Sequence, residues 1–85
     1  MAEQDTIAAV ATPPGVGGVG MVRVSGPEAV RVGGTVFRCH PGIGERVRHV
    51  EFGQILDIDG VPVDTGLAWF LKGPASYTGD DTVEI

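Results

Sequence analysis

Eighty-five residues with 42% apolar content make one small globular domain, or a piece of one, with a thin core; a disordered tail is excluded. Eleven acids against six bases give a net charge of −5, which argues against a segment that grips nucleic acid by itself, because phosphate binding rests on Lys and Arg. The one cysteine, Cys39, excludes an internal disulfide, no Cys/His spacing suits a metal site, and no run approaches the roughly 18 apolar residues of a membrane span. The start is acidic and no long apolar run follows it, so it does not read as a secretory signal, and the expected compartment is the cytosol.

Thr6–Ala11 reads as a first strand, ended by Pro13-Pro14, because proline gives no ladder donor. A loop with glycine at 15, 17, 18 and 20 follows. Its Gly15-x-Gly17-x-x-Gly20 spacing fits the dinucleotide fingerprint, but that motif needs a helix opening directly after it to meet the pyrophosphate. Met21-Val22-Arg23-Val24-Ser25 instead alternates and is rich in valine, so a second strand follows and the dinucleotide reading is rejected. In that strand Val22 and Val24 point one way, and Met21, Arg23 and Ser25 the other.

Ser25-Gly26-Pro27-Glu28 has the spacing of a capping box and predicts a helix start. Ala29, Val32, Val36 and Phe37 recur at helical spacing, and Pro41-Gly42 places the helix end near Arg38. Gly33-Gly34 weakens this helix by up to about 1 kcal/mol per glycine relative to alanine, so it must be held by close packing on a sheet. Residues 41–48 read as a polar loop, and Arg46, Arg48 and His49 as a small solvated basic spot. Val50, Phe52, Leu56 and Ile58 share one face of the next strand, Asp59-Gly60 marks a hairpin turn, and Val61, Val63, Leu67 and Trp69 share a face of the returning strand, with Trp69 as a core anchor. A polar loop over 72–81 leads to a last strand at Thr82–Ile85. The order β-β-α-β-β-β predicts an α+β domain, a small mixed sheet with a packed helix, whose C-terminal part is expected beyond residue 85.

Two segments carry a resemblance. The run from Asp5 through Ala11-Thr12-Pro13-Pro14-Gly15-Val16-Gly17-Gly18-Val19-Gly20-Met21-Val22-Arg23-Val24-Ser25-Gly26 resembles the opening of the tRNA-modification GTPase family known as MnmE or TrmE. Gly73-Pro74-Ala75-Ser76-Tyr77-Thr78-Gly79-Asp80-Asp81-Thr82-Val83-Glu84-Ile85 resembles that family's second N-terminal signature, in matching order and separation. Two departures stand out: Val16 replaces the family's usual arginine, and Asp80 its usual glutamate.

The resemblance implies a three-part protein: a folate-binding domain, a helical domain, and a GTPase domain inserted in the helical one. With a partner flavoprotein, the family modifies the wobble uridine of certain tRNAs. Residues 1–85 would be most of an N-terminal formyl-tetrahydrofolate-binding and dimerisation domain. That domain is similar to the folate-binding part of the glycine-cleavage aminomethyltransferase. It forms a homodimer, with 5-formyltetrahydrofolate near the interface. By the same resemblance, Arg23 and Glu84 contact the folate, and the backbone of Gly17, Gly18 and Gly20 approaches the ligand or the other subunit. The chemistry agrees: a carboxylate accepts the paired N–H donors of a pterin, and a guanidinium fork suits folate's carboxylate tail and carbonyls. Tyr77 either stacks on a ring or covers the hairpin.

No Gly-x-x-x-x-Gly-Lys-Ser/Thr loop occurs, so nucleotide hydrolysis, with its potassium and magnesium, belongs to a GTPase domain that this segment lacks. No catalytic and no metal-binding residue is expected. Two other functions fit the residues less closely: a pure dimerisation module, and a one-carbon transferase of the aminomethyltransferase type, which would need a catalytic acid.

Overall fold

The computed structural model describes residues 5–76 and 78–85; the two alternatives for Tyr77 lie outside them. Strands β1 (Ile7–Val10) and β2 (Val22–Ser25) precede helix α1 (Ala29–Val36), which is followed by β3 (Phe37–Arg38), β4 (Glu51–Leu56), β5 (Pro62–Leu71) and β6 (Thr82–Glu84). The strands form one six-stranded sheet in the order β1-β2-β6-β5-β4-β3, with every strand pair antiparallel. The domain is therefore α+β, as the element order implied. The sheet is antiparallel rather than mixed, apart from an isolated parallel bridge between Val47 and Phe70. The last strand in sequence is inserted at the centre of the sheet, between β2 and β5.

Helix α1 covers one face. Val24, Ala29, Phe37, Ile43, Ala68, Phe70 and Val83 form the core there, with Val30, Val32, Cys39, Ile55 and Ile85 packed around it. The helix begins without the expected capping box: Glu28 stands at the N-cap position with no side-chain cap bond and pairs instead with Arg31 at 2.5 Å. Ser25 is taken elsewhere, its hydroxyl lying 2.6 Å from that of Thr78. The helix is also shorter than the periodicity predicted, because Phe37 is already extended (φ −137°, ψ 124°) and pairs with Ile55 as β3.

The two helix glycines divide in role. A β-carbon on Gly33 would lie 3.0 Å from Val83 Cγ1, so Gly33 is where the helix presses onto the central strand, whereas Gly34 faces open space. Gly53 is tighter. A β-carbon there would sit 2.3 Å from the carbonyl of Arg38 and 2.8 Å from the ring of Phe37, so this position in β4 is closed to any side chain.

The hairpin β4–β5 turns as expected at Asp59-Gly60. Gly60 has φ +79°, and Asp57 Oδ1 accepts the backbone N–H of Asp59 and of Val61. Two residues of β5, Pro62 and Asp64, oppose the successive Leu56 and Ile55 of β4, so Val63 is bulged. The core face of β5 is the set Ala68 and Phe70, not the Val63, Leu67 and Trp69 set. α1 lies over the Phe70 side, so Phe52 is left 72% exposed and Leu67 52% exposed on the opposite, open face, with Trp69 half-buried beside them.

Arg46 is not merely solvated. Its guanidinium makes a bidentate pair with the buried carboxylate of Glu51, Nη2 to Oε1 at 2.7 Å and Nε to Oε2 at 2.9 Å, and His49 Nδ1 stands 3.5 Å from Oε2. The hydrogen bond from Arg46 holds the Glu51 carboxyl below the ordinary glutamate range. Cys39 donates from Sγ to the carbonyl of Pro41 at 3.2 Å; burial first, then the Glu51 charge, pushes its thiol up.

Two predictions follow from the packing. Gly53→Ala lowers stability by about 1–3 kcal/mol through overpacking, whereas Gly34→Ala raises it by roughly 0.5–1 kcal/mol; denaturant midpoints of the two variants measure both signs. The lowered Glu51 carboxyl contributes stability that is present above the ordinary glutamate value and is lost as pH falls through its folded-state value. Urea midpoints followed into acid therefore drop more steeply for the native chain than for Glu51→Gln.

Candidate functional site

The site is set by sheet register. Arg23 lies opposite Glu84 across β2–β6, and Glu84 lies opposite Trp69 across β6–β5. Alternation puts all three side chains on the open face, because Val24, Val83 and Phe70, one residue along each strand, are in the core under α1. Two residues 61 positions apart thus meet: Arg23 Nε donates to Glu84 Oε2 at 2.6 Å. The indole Nε1 of Trp69 donates to Glu84 Oε1 at 2.6 Å. Glu84 is only 7% exposed, and charge-assisted bonds to both oxygens satisfy it.

A second rank of polar groups adjoins the first. Ser25 and Thr82, opposite each other across β2–β6, form a hydroxyl cluster with Thr78: Ser25 to Thr78 at 2.6 Å, and both to Thr82 at 3.3 Å. Thr82 also donates to the carbonyl of Asp80 at 3.0 Å. The turn residues of the second signature thereby lock β6 to β2. The backbone N–H of Gly73 donates to Asp81 Oδ1 at 2.9 Å, closing the loop on itself.

Beside these ranks lies a cleft of about 700 Å³. Its walls include Gly18, Gly20 and Met21 from the glycine loop, Thr65, Gly66, Leu67 and Trp69 from β5, and Val24, Val36 and Ile55 on the side of the sheet that α1 covers. β5 pairs with β6 at Trp69–Leu71 and with β4 from Pro62 to Ala68. Neither Arg23 nor Glu84 lines the cleft. Trp69 lines it and also a smaller hollow of about 260 Å³ formed with Arg48, Val50 and Leu71, so its indole stands as a partition between the two.

The sequence-predicted residues therefore fall into three groups. Arg23 and Glu84 are in direct contact. Gly18 and Gly20 border the cleft, and a β-carbon on either would touch nothing within 4 Å, so neither is packed against this chain. Gly17 is not a lining residue, and a β-carbon there would meet only the carbonyl of Val19 at 3.8 Å. The positive φ of the loop is at Gly15, +107°, where glycine is the residue that adopts it without strain. Trp69, read from the sequence as a core anchor, is instead half-buried on the open face and donates to Glu84. The available signal was its place two residues from Leu67 in strand alternation, but strand pairing is needed to aim it at Glu84. Among the described residues, no group of three or more His, Cys, Asp or Glu side chains is placed to hold a metal ion, and no helix is long and apolar enough to cross a membrane.

Residues 6–85 match the family described as GTP-binding protein TrmE N-terminus. Three similar proteins, each named tRNA modification GTPase MnmE, come from different bacteria. The chain is 48% identical to that of Roseiflexus castenholzii over 86 residues, covering 100% of the chain and 18% of the relative. It is 44% identical to that of Chromohalobacter salexigens, with 96% and 17% covered, and 48% identical to that of Stutzerimonas stutzeri, with the same coverage. The chain thus spans less than a fifth of the length of these relatives. With nearly its whole length matched, it belongs to the TrmE N-terminal family.

Proposed function

We propose that this chain is the folate-binding and self-associating part of a tRNA-modifying GTPase of the MnmE kind, and that it carries no catalytic residue of its own. The observation that supports this most is the contact between Arg23 and Glu84, two residues 61 positions apart held as an ordered pair on the open sheet face. The donor set suits a reduced folate such as 5-formyltetrahydrofolate. A carboxylate offers about four acceptor sites and Arg23 and Trp69 occupy two of them, so Glu84 retains capacity for the ring N–H groups of a pterin. The Arg23 guanidinium sits where ring carbonyls or the tail carboxylate would come. Gly18 and Gly20 present backbone without side chains in the same cleft as Trp69. When bound, the folate supplies a one-carbon unit; the protein binds and orients it.

Nucleotide hydrolysis, with its potassium and magnesium, and the encounters with tRNA and a flavoprotein partner are assigned to other parts of a protein like these relatives, acting in the cytosol. The proposed kinship with the aminomethyltransferase folate-binding domain follows from the same reading. A one-carbon transferase fits less well, because Glu84 is held between two donors as an acceptor and not as an acid.

Homodimerisation is the second part of the proposal. It is supported by the open face, where Phe52 and Leu67 stand exposed side by side across β4–β5. Contiguous exposed apolar surface is what an interaction face presents. A pure dimerisation module would use this face and ignore folate.

Calorimetry separates the possibilities. The native chain binds 5-formyltetrahydrofolate, and Arg23→Ala weakens that binding by about tenfold or more, the loss expected for a hydrogen bond to a charged group; unchanged affinity removes Arg23 from the site. In sedimentation, Phe52→Glu shifts the chain from dimer toward monomer while its circular dichroism stays native. A variant that remains dimeric rules out this face as the interface.

A further inference from the structure

Glu84 can read a ligand only if its carboxylate plane is fixed. A glutamate has three rotatable side-chain bonds, and an unrestrained one would present its lone pairs in many directions. Here two donors from two different strands hold it. Arg23 on β2 takes Oε2 at 2.6 Å and Trp69 on β5 takes Oε1 at 2.6 Å, so the carboxylate is stretched between its neighbours across the sheet. The indole is rigid and planar, it is half-buried, and it donates from a single N–H with no acceptor of its own.

We infer that Trp69 is a positioning residue for ligand recognition: its indole N–H fixes the Glu84 carboxylate so that the remaining lone pairs meet the adjacent ring N–H and amino N–H of a 2-amino-4-oxo heterocycle. This rests on the folate reading and adds a residue and a specificity to it. The amino group at ring position 2 is the feature that Trp69 makes legible, through Glu84. A heterocycle lacking that group leaves one acceptor site of a buried carboxylate unmatched, and a site built to pair such a group rejects the analogue that lacks it.

The test uses the full chain with 5-formyltetrahydrofolate and its 2-desamino analogue as probes. The native chain prefers the folate, and Trp69→Phe, which keeps the ring and removes the N–H, lowers folate affinity by roughly tenfold and narrows the preference between the two probes. A purely structural tryptophan would change both affinities alike and leave their ratio intact. Trp69 is also the only tryptophan in the sequence, so its indole N–H gives a single nuclear magnetic resonance signal. That signal moves on addition of folate and loses its hydrogen-bonded position in Glu84→Leu, which has no acceptor, and this measurement does not depend on the Phe variant folding. If the native chain binds folate but Trp69→Phe keeps the same affinity and the same ratio, or the indole signal ignores both folate and Glu84→Leu, the inference is overturned and the folate reading stands. If the native chain binds neither probe, the folate reading itself has failed.

Discussion

The structure turns on a carboxylate placed at the middle of a sheet. β6 has three residues, all buried, and sits between β2 and β5 with Val83 in the core and Glu84 on the open face. Strand side chains alternate with a period of two, so a slip of one residue on either side would drive Glu84 under α1, among Phe37, Phe70 and Ala29, and push Val83 outward. An unpaired carboxylate in an apolar core is far more costly than the same group held by donors. The ion pair to Arg23 and the bond from Trp69 exist in one register only, so the polar rank specifies the pairing of three strands whose segments are far apart in sequence. The hydroxyl rank of Ser25, Thr78 and Thr82 repeats the specification one step along.

The core side answers to the same register. Gly33 lets α1 approach until Val83 fills the space where a side chain would be, and Gly53 admits the Phe37 ring against the sheet. Both contacts join distant segments through a missing β-carbon, which is how an eight-residue helix containing two glycines stays folded. Its own hydrogen bonds would not hold it, since isolated helices shorter than about 12–15 residues are marginal in water. Tertiary contact with the central strand is what makes it a helix at all. The Arg46–Glu51 pair performs a comparable task at the far side, tying the loop after Ile43 to the start of β4.

Much of this was legible in the residues. Valine alternation gave β2 and its two faces, Asp59-Gly60 gave the hairpin, and the glycine loop was correctly assigned between strands because no helix pattern follows it. The capping box failed for a physical reason: Ser25 lies in a strand whose neighbour presents threonine hydroxyls, and that long-range bond outcompetes a local cap. The face of the hairpin was misjudged because alternation shows that two faces differ but not which one a helix will cover. Phe52 and Leu67 are larger than Ala68 and look like core, yet α1 leaves them outside. The candidate site followed the same pattern. Arg23 and Glu84 were named through resemblance, whereas Trp69 became visible only once β5 was seen to pair with β6, because cross-strand neighbours 15 residues apart leave no mark in local sequence.

The charge of the chain bears on how such a site would work. A net charge of −5 sets up a field that opposes an anionic ligand at long range, and folates carry carboxylates at one end. Screening reduces that opposition beyond about 10 Å at moderate salt, but it gives no attraction in return. Recognition on this surface therefore has to come from short-range groups, and the most ordered of them, Glu84, is itself negative. A negative anchor can favour only the donor-rich end of the ligand. If this face takes a folate, a negative anchor suits the heterocycle rather than the tail, with Arg23 beside Glu84 compensating the carboxylate's charge.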